Sequence, residues 1–216
     1  MQRCLTLLAQ AAVLASLVLS SSALAEDAGD IEPPLQYRLQ IGEQTREISE
    51  GVPTVFEGSF TNPAATLVVA PERIFAYGGI RFEYPRHYTF EADFSSPGLK
   101  IWTLSGNSFK IMYFLSEQPL TALSLLEGMS EQLGDSNLAI EESQVALEAA
   151  GQSLAGKRGV VSIAIQKLSN DAFTLPERNG LARVLLLQDA LMDEGGFSEE
   201  ASHATAMLQK SLALEP

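Results

Sequence analysis

The chain has 216 residues, with 14 Lys and Arg against 27 Asp and Glu and a single cysteine. Its formal net charge of −13, with no basic cluster longer than Lys157-Arg158, sets it against phosphate backbones and anionic lipid, so neither nucleic-acid nor membrane-surface binding is expected.

Residues 1–25 read as a cleaved signal peptide. Arg3 supplies the positive start, an uncharged apolar run follows, and Ala23-Leu24-Ala25 sets small residues where a peptidase cuts, between Ala25 and Glu26. The apolar core from Cys4 to Leu19 is 16 residues, short of the roughly 20 that span hydrocarbon, so no membrane anchor is expected after cleavage. Cys4 sits at the start of that run, the wrong end for lipidation. The mature chain of 191 residues then has no cysteine, which excludes disulfides, thiol catalysis and thiolate metal sites. A periplasmic or secreted location follows. That length suffices for one domain with its own core, hiding on the order of 70% of its unfolded surface.

Residues 26–34, "EDAGDIEPP", read as a flexible acidic leader. Residues 35–77 read as an N-terminal β extension. Tyr37, Leu39 and Ile41 alternate with polar neighbours, "TREIS" continues after Gly42, and "PTVFEGSF" and "ATLVVA" are short runs split by Asn62-Pro63. After Gly78-Gly79, "GIRFEY" alternates until Pro85 ends the ladder for want of an amide hydrogen, and "HYTFEA" resumes extended. Residues 98 to 115 predict a hairpin around Ser105-Gly106-Asn107-Ser108; its second arm is apolar on both faces and so needs cover on both.

A helix is predicted over 119–133. Pro119 opens it, Ala122, Leu125, Leu126, Met129 and Leu133 form one apolar stripe, and Gly134 stops it. Residues 138–150 fit helix or strand, and strand is preferred. "GVVSIAIQKL" (159–168) and "LARVLLLQDAL" (181–191) read as strands joined across "NDAFTLPERNG", where Asn179-Gly180 is a strong turn pair. A second helix over 198–213 has Ser198 as cap, Glu199 and Glu200 in its first turn, and Ala201, Ala204, Leu208 and Leu212 on its buried face.

This order of elements, with Tyr84-Pro85 ending an aromatic strand, "IWTLSG" in the hairpin and Leu154-Ala155-Gly156 before a central strand, resembles the PsbP/Mog-like family of α/β sandwiches, which includes bacterial periplasmic proteins of the DcrB kind. The resemblance covers roughly residues 78–214. It implies an α+β fold: a single-domain α/β/α sandwich with a mainly antiparallel sheet, helices near 119–133 and 198–213, and the β extension in front. It also implies a non-enzymatic binding or accessory module for an envelope protein assembly, with an unidentified protein partner and no catalytic residue to carry over. A monomer is expected.

The residues offer little chemistry of their own. His87 and His203 are the two histidines, and no His-x₃-His or His-x-Glu spacing exists, so no metal site and no cofactor are expected. "LSGNSF" and "AGQSLAG" miss the Gly-x-Ser-x-Gly elbow, and a hydrolase would need an atypical site with His87 as base. The Glu141-Glu142, Asp193-Glu194 and Glu199-Glu200 pairs read as solvated. The remaining site expectation is a partner-binding patch of Arg86, His87 and Trp102, weighed against Trp102 as core. A small-ligand carrier, with its cavity between sheet and helix, is the other reading.

Overall fold

The computed structural model describes residues 29–48, 52–133, 138–149, 151–163, 166–191 and 196–215. The signal peptide, Cys4, the Ala25/Glu26 cleavage site and Gly134 lie outside the described residues. Residues 32–216 group as one compact unit.

Among the described residues, twelve strands and two helices follow one another as β1 (Leu35–Ile41), β2 (Gln44–Ile48), β3 (Ala65–Tyr77), β4 (Ile80–Pro85), β5 (Thr89–Asp93), β6 (Leu99–Ser105), β7 (Phe109–Ser116), α1 (Ala122–Leu133), β8 (Leu138–Ala149), β9 (Gln152–Ile163), β10 (Gln166–Arg178), β11 (Leu181–Ala190), α2 (Glu199–Ser211) and β12 (Ala213–Leu214). They build two sheets, ordered β12-β4-β3-β1-β2 and β5-β6-β7-β11-β10-β9-β8. Every pairing is antiparallel. The fold is a β-rich sandwich with two helices, carrying more sheet than the single layer expected from sequence.

Strand β11 shows how the layers divide. Its residues alternate between two cores, because successive side chains leave opposite faces of a strand. Val184 and Leu186 join Phe114, Ala172, Ala122 and Leu126, the side that α1 covers. Leu185 and Leu187 join the larger core, which holds Ala201, Ala204 and Leu208 of α2 together with Phe75, Phe82 and Tyr84 of the five-stranded sheet. The two helices therefore shield opposite faces of the seven-stranded sheet. The second sheet shares its face with α2.

Three sequence expectations change here. "GVVSIAIQKL" is not one strand but the end of β9 and the start of β10, with Ile163 paired to Gln166 and Val161 to Leu168. "NDAFTLPER" is not a connection but most of β10, paired with β9 and β11 along its length. Its polar residues find partners on those neighbours. Arg158 on β9 meets Asp171, and Gln188 donates to Asn170 Oδ1 at 2.7 Å. Pro176 sits where the register slips between Leu175 and Arg178, a place that tolerates a missing donor. "PTVFEGSF", in contrast, forms no strand. Gly58 and Asn62 take positive φ, and Val52, Val55 and Phe60 are exposed.

Residues 138–149 are strand, as preferred. Helix α1 begins three residues after Pro119, because Thr121 and Ser124 cap it reciprocally: Ser124 N–H donates to Thr121 Oγ1 at 3.1 Å, and Thr121 N–H to Ser124 Oγ at 2.9 Å. Helix α2 starts as expected from Ser198, whose hydroxyl accepts from Ala201 N–H. Asn179 and Gly180 both take positive φ in the tight turn between β10 and β11.

Candidate functional site

The register of β8 to β11 lays out the sheet face beneath α2. Ser169 lies beside Asp189, and Asp171 lies between Arg158 and Leu187. Phe173 stands opposite Gly156, which in turn pairs with Val145. A Cβ on Gly156 would fall 2.4 Å from the Ala172 carbonyl oxygen and 2.6 Å from Phe173 Cδ1, so the missing side chain leaves room for both the neighbouring backbone and the ring. Over this floor α2 presents Ala201, Ser202, Thr205, Ala206 and Gln209, residues spaced to share one helix face. Between them is a cavity of about 380 Å³.

Its walls are mostly apolar, with Phe109, Leu147, Phe173 and Leu187 at the base, Ala201 above them on α2 and Phe197 at the exposed rim. Its charged groups are already engaged. Arg158 holds Asp171 through Nε at 2.6 Å and Nη2 at 2.7 Å, a fork-on-carboxylate bond that raises the Arg158 pKa. The Phe197 ring lies 4.9 Å from the same guanidinium. Asp189, 2% exposed, accepts Ser198 N–H at 2.8 Å and Ser198 Oγ–H at 2.7 Å at the start of α2.

A second polar cluster anchors the same helix end. Glu200 accepts Ser108 N–H at 2.6 Å, Ser108 Oγ–H at 2.8 Å and Asn107 N–H at 3.1 Å. Burial alone would raise its pKa, but these donors, with His87 beside it, hold it at about 2. Burial, with the Glu200 charge next, pushes the Tyr88 hydroxyl well above its ordinary range.

His87 Nε2 lies 3.5 Å from Glu200 Oε1, with 62% of the His87 side chain exposed. The order is Ser108–Glu200–His87, with the acid in the middle. A nucleophilic triad needs the histidine between hydroxyl and acid, where it can take the proton. A carboxylate held near 2 is also a poor general base at neutral pH.

The sequence-derived patch does not assemble. Arg86 and His87 are exposed in the turn after β4, but Trp102 on β6 is 3% exposed. The indole stacks on Tyr113 at 5.5 Å and on Tyr77 at 6.2 Å, with Phe94 edge-on at 5.3 Å. Facing strands of two sheets supply its neighbours, so it is core. The residues that sequence reasoning missed, Arg158, Asp171, Phe173 and Phe197, become neighbours only once β10 is seen as a strand.

Among the described residues no group of three or more His, Cys, Asp or Glu side chains is placed to hold a metal ion, and no helix is long and apolar enough to cross a membrane.

No family model and no curated protein matches the chain. Solved structures do. The chain is similar to cyanobacterial PsbP (CyanoP) from Synechocystis sp. PCC 6803, at 14% identity over 73% of this chain and 98% of that one, with a TM-score of 0.45. It is also similar to PA94 of Pseudomonas aeruginosa, described as a protein of unknown function and putative regulator, at 10% identity over 62% of this chain and 88% of that one, with a TM-score of 0.28.

Proposed function

We propose that this chain is an exported, non-enzymatic binding or accessory module of the PsbP-like kind, and that it acts by holding a small ligand between α2 and the seven-stranded sheet. The observation that carries the reading is the cavity of about 380 Å³, mostly apolar in its walls, with its charged groups tied into structural bonds. Ligand sites have this character: concave, mainly hydrophobic, with a few fixed polar groups. Export rests on Arg3, the apolar run and Ala23-Leu24-Ala25. An envelope assembly as the destination rests on the family resemblance in the sequence.

The atypical-hydrolase reading has less support. His87 approaches Glu200 and not a hydroxyl, and Ser108 and Ser198 donate to carboxylates with pairs already formed.

Native mass spectrometry of the mature protein purified from its own host envelope tests the proposal. The expected result is an added mass that disappears in Thr205→Trp, a substitution that fills the cavity from the helix side. Bare protein under every purification condition, or a mass retained by Thr205→Trp, would refute it.

A further inference from the structure

The charge balance of the α2 cavity points to the class of molecule it takes: we infer a small apolar amine, an aromatic or cyclic body carrying one cationic head. This inference rests on the cavity being a ligand site, as proposed above. The body is specified by the walls. Phe109, Phe173 and Phe197 contribute three rings, with Leu147, Leu187 and Ala201 between them, and 380 Å³ is at the small end of cavities that hold organic ligands.

The head is specified by the ionisable groups that line the same space among the described residues, Arg158, Asp171 and Asp189. Arg158 and Asp171 neutralise each other through two bonds of 2.6 and 2.7 Å. Asp189 is met by the N–H and hydroxyl of Ser198, donors without formal charge. One negative charge remains over the described lining residues, inside a chain of net charge −13. An anionic head would have to compete with Asp171 for the guanidinium while facing Asp189. A cation also faces Arg158, but it meets the charge of Asp189, whose donors are neutral, and the ring of Phe197, which already lies against one cation. Ser169, Ser202, Thr205 and Gln209 add neutral hydrogen-bonding groups around it.

Three probes of one shape decide the matter: phenylpropylamine, phenylpropanol and phenylpropionate, titrated by calorimetry into the mature protein at low salt, with amide chemical shifts followed in parallel. The amine should bind about tenfold or more tighter than the carboxylate, with the alcohol between them. Shifts should centre on residues 201 to 209. Asp171→Asn removes one negative charge and should shrink the amine's advantage; Thr205→Trp should abolish binding of all three. Carboxylate binding as tight as the amine's and lost in Thr205→Trp overturns the amine while the cavity stands. Shifts outside α2, or an amine preference untouched by Asp171→Asn, overturn the assignment to this site. Binding of none of the three overturns the amine, and the co-purification experiment then judges the cavity separately.

Discussion

Arg183 on β11 donates from Nη1 to the carbonyl of Gly79 at 2.8 Å, joining the seven-stranded sheet to the turn between β3 and β4 in the other sheet. The same guanidinium donates from Nε to Pro176 O at 2.5 Å, and the residue is 2% exposed. A buried cation answered by carbonyls holds its place by geometry, and removing it leaves both a void and under-satisfied oxygen atoms. Arg183→Ala should therefore cost about 3 kcal/mol or more. Arg183→Lys should recover only part, since an ammonium has no fork to span two acceptors. Urea midpoints at unchanged slope measure both. A near-neutral alanine variant would mean that the sheets are joined by apolar packing alone.

Gly78 is held on the other side of that turn. Its carbonyl accepts the Tyr113 hydroxyl at 2.7 Å, and its φ of 59° belongs to the left-handed region. A Cβ there would lie 2.8 Å from Tyr113 Cε1, a ring atom with no room to retreat. Gly78→Ala combines backbone strain with that overlap and should destabilise by about 2 kcal/mol. The paired variant Gly78→Ala/Tyr113→Leu removes the overlap. Its thermal midpoint should fall by less than the sum of the two single changes. Strict additivity would show that the ring and the turn are not coupled.

Glu200 links α2 to the β6–β7 hairpin and sets a pH window. A carboxyl whose pKa is lower in the fold than in the unfolded chain stabilises the fold above the unfolded value. That contribution disappears as pH falls through the folded value. For Glu200 the window runs from the ordinary 4.5 down to about 2. With the side chain 17% exposed, its contribution at neutral pH is on the order of 2 to 3 kcal/mol. Glu200→Gln should be less stable than wild type at pH 7, with the gap closing between pH 4.5 and 2. Denaturation curves across that range test it. A gap that stays constant with pH would assign the effect to packing and not to charge.

The elements were legible in the sequence wherever local chemistry decides them. Ser198 with Glu199 and Glu200 announces α2, Asn179-Gly180 announces a turn, alternation announces β1 and β4, and an apolar run after a turn announces β7. What could not be read was anything that depends on a distant strand. Asn170, Asp171 and Pro176 look like loop residues until Gln188, Arg158 and a bulge supply their partners. The same dependence hid the cavity, because its floor is five strands in register and its roof is a helix from the end of the chain. In "PTVFEGSF" the apolar residues suggested a strand, but composition alone cannot say which runs find a neighbour.

Trp102 offers an optical reading of the joined sheets, since it is the only tryptophan. It lies between Tyr77 of the five-stranded sheet and Tyr113 of the seven-stranded one, with Phe75 edge-on at 6.0 Å. An indole so enclosed is removed from water, so native emission should be blue-shifted and insensitive to iodide. On unfolding the emission should move red in one step with loss of β-sheet circular dichroism, because a residue at the contact of two layers reports their separation. Arg183→Ala should shift that step to lower denaturant by loosening the turn that Tyr113 also holds. If iodide quenches the native protein efficiently, the layers part in solution and Trp102 is open to partners after all.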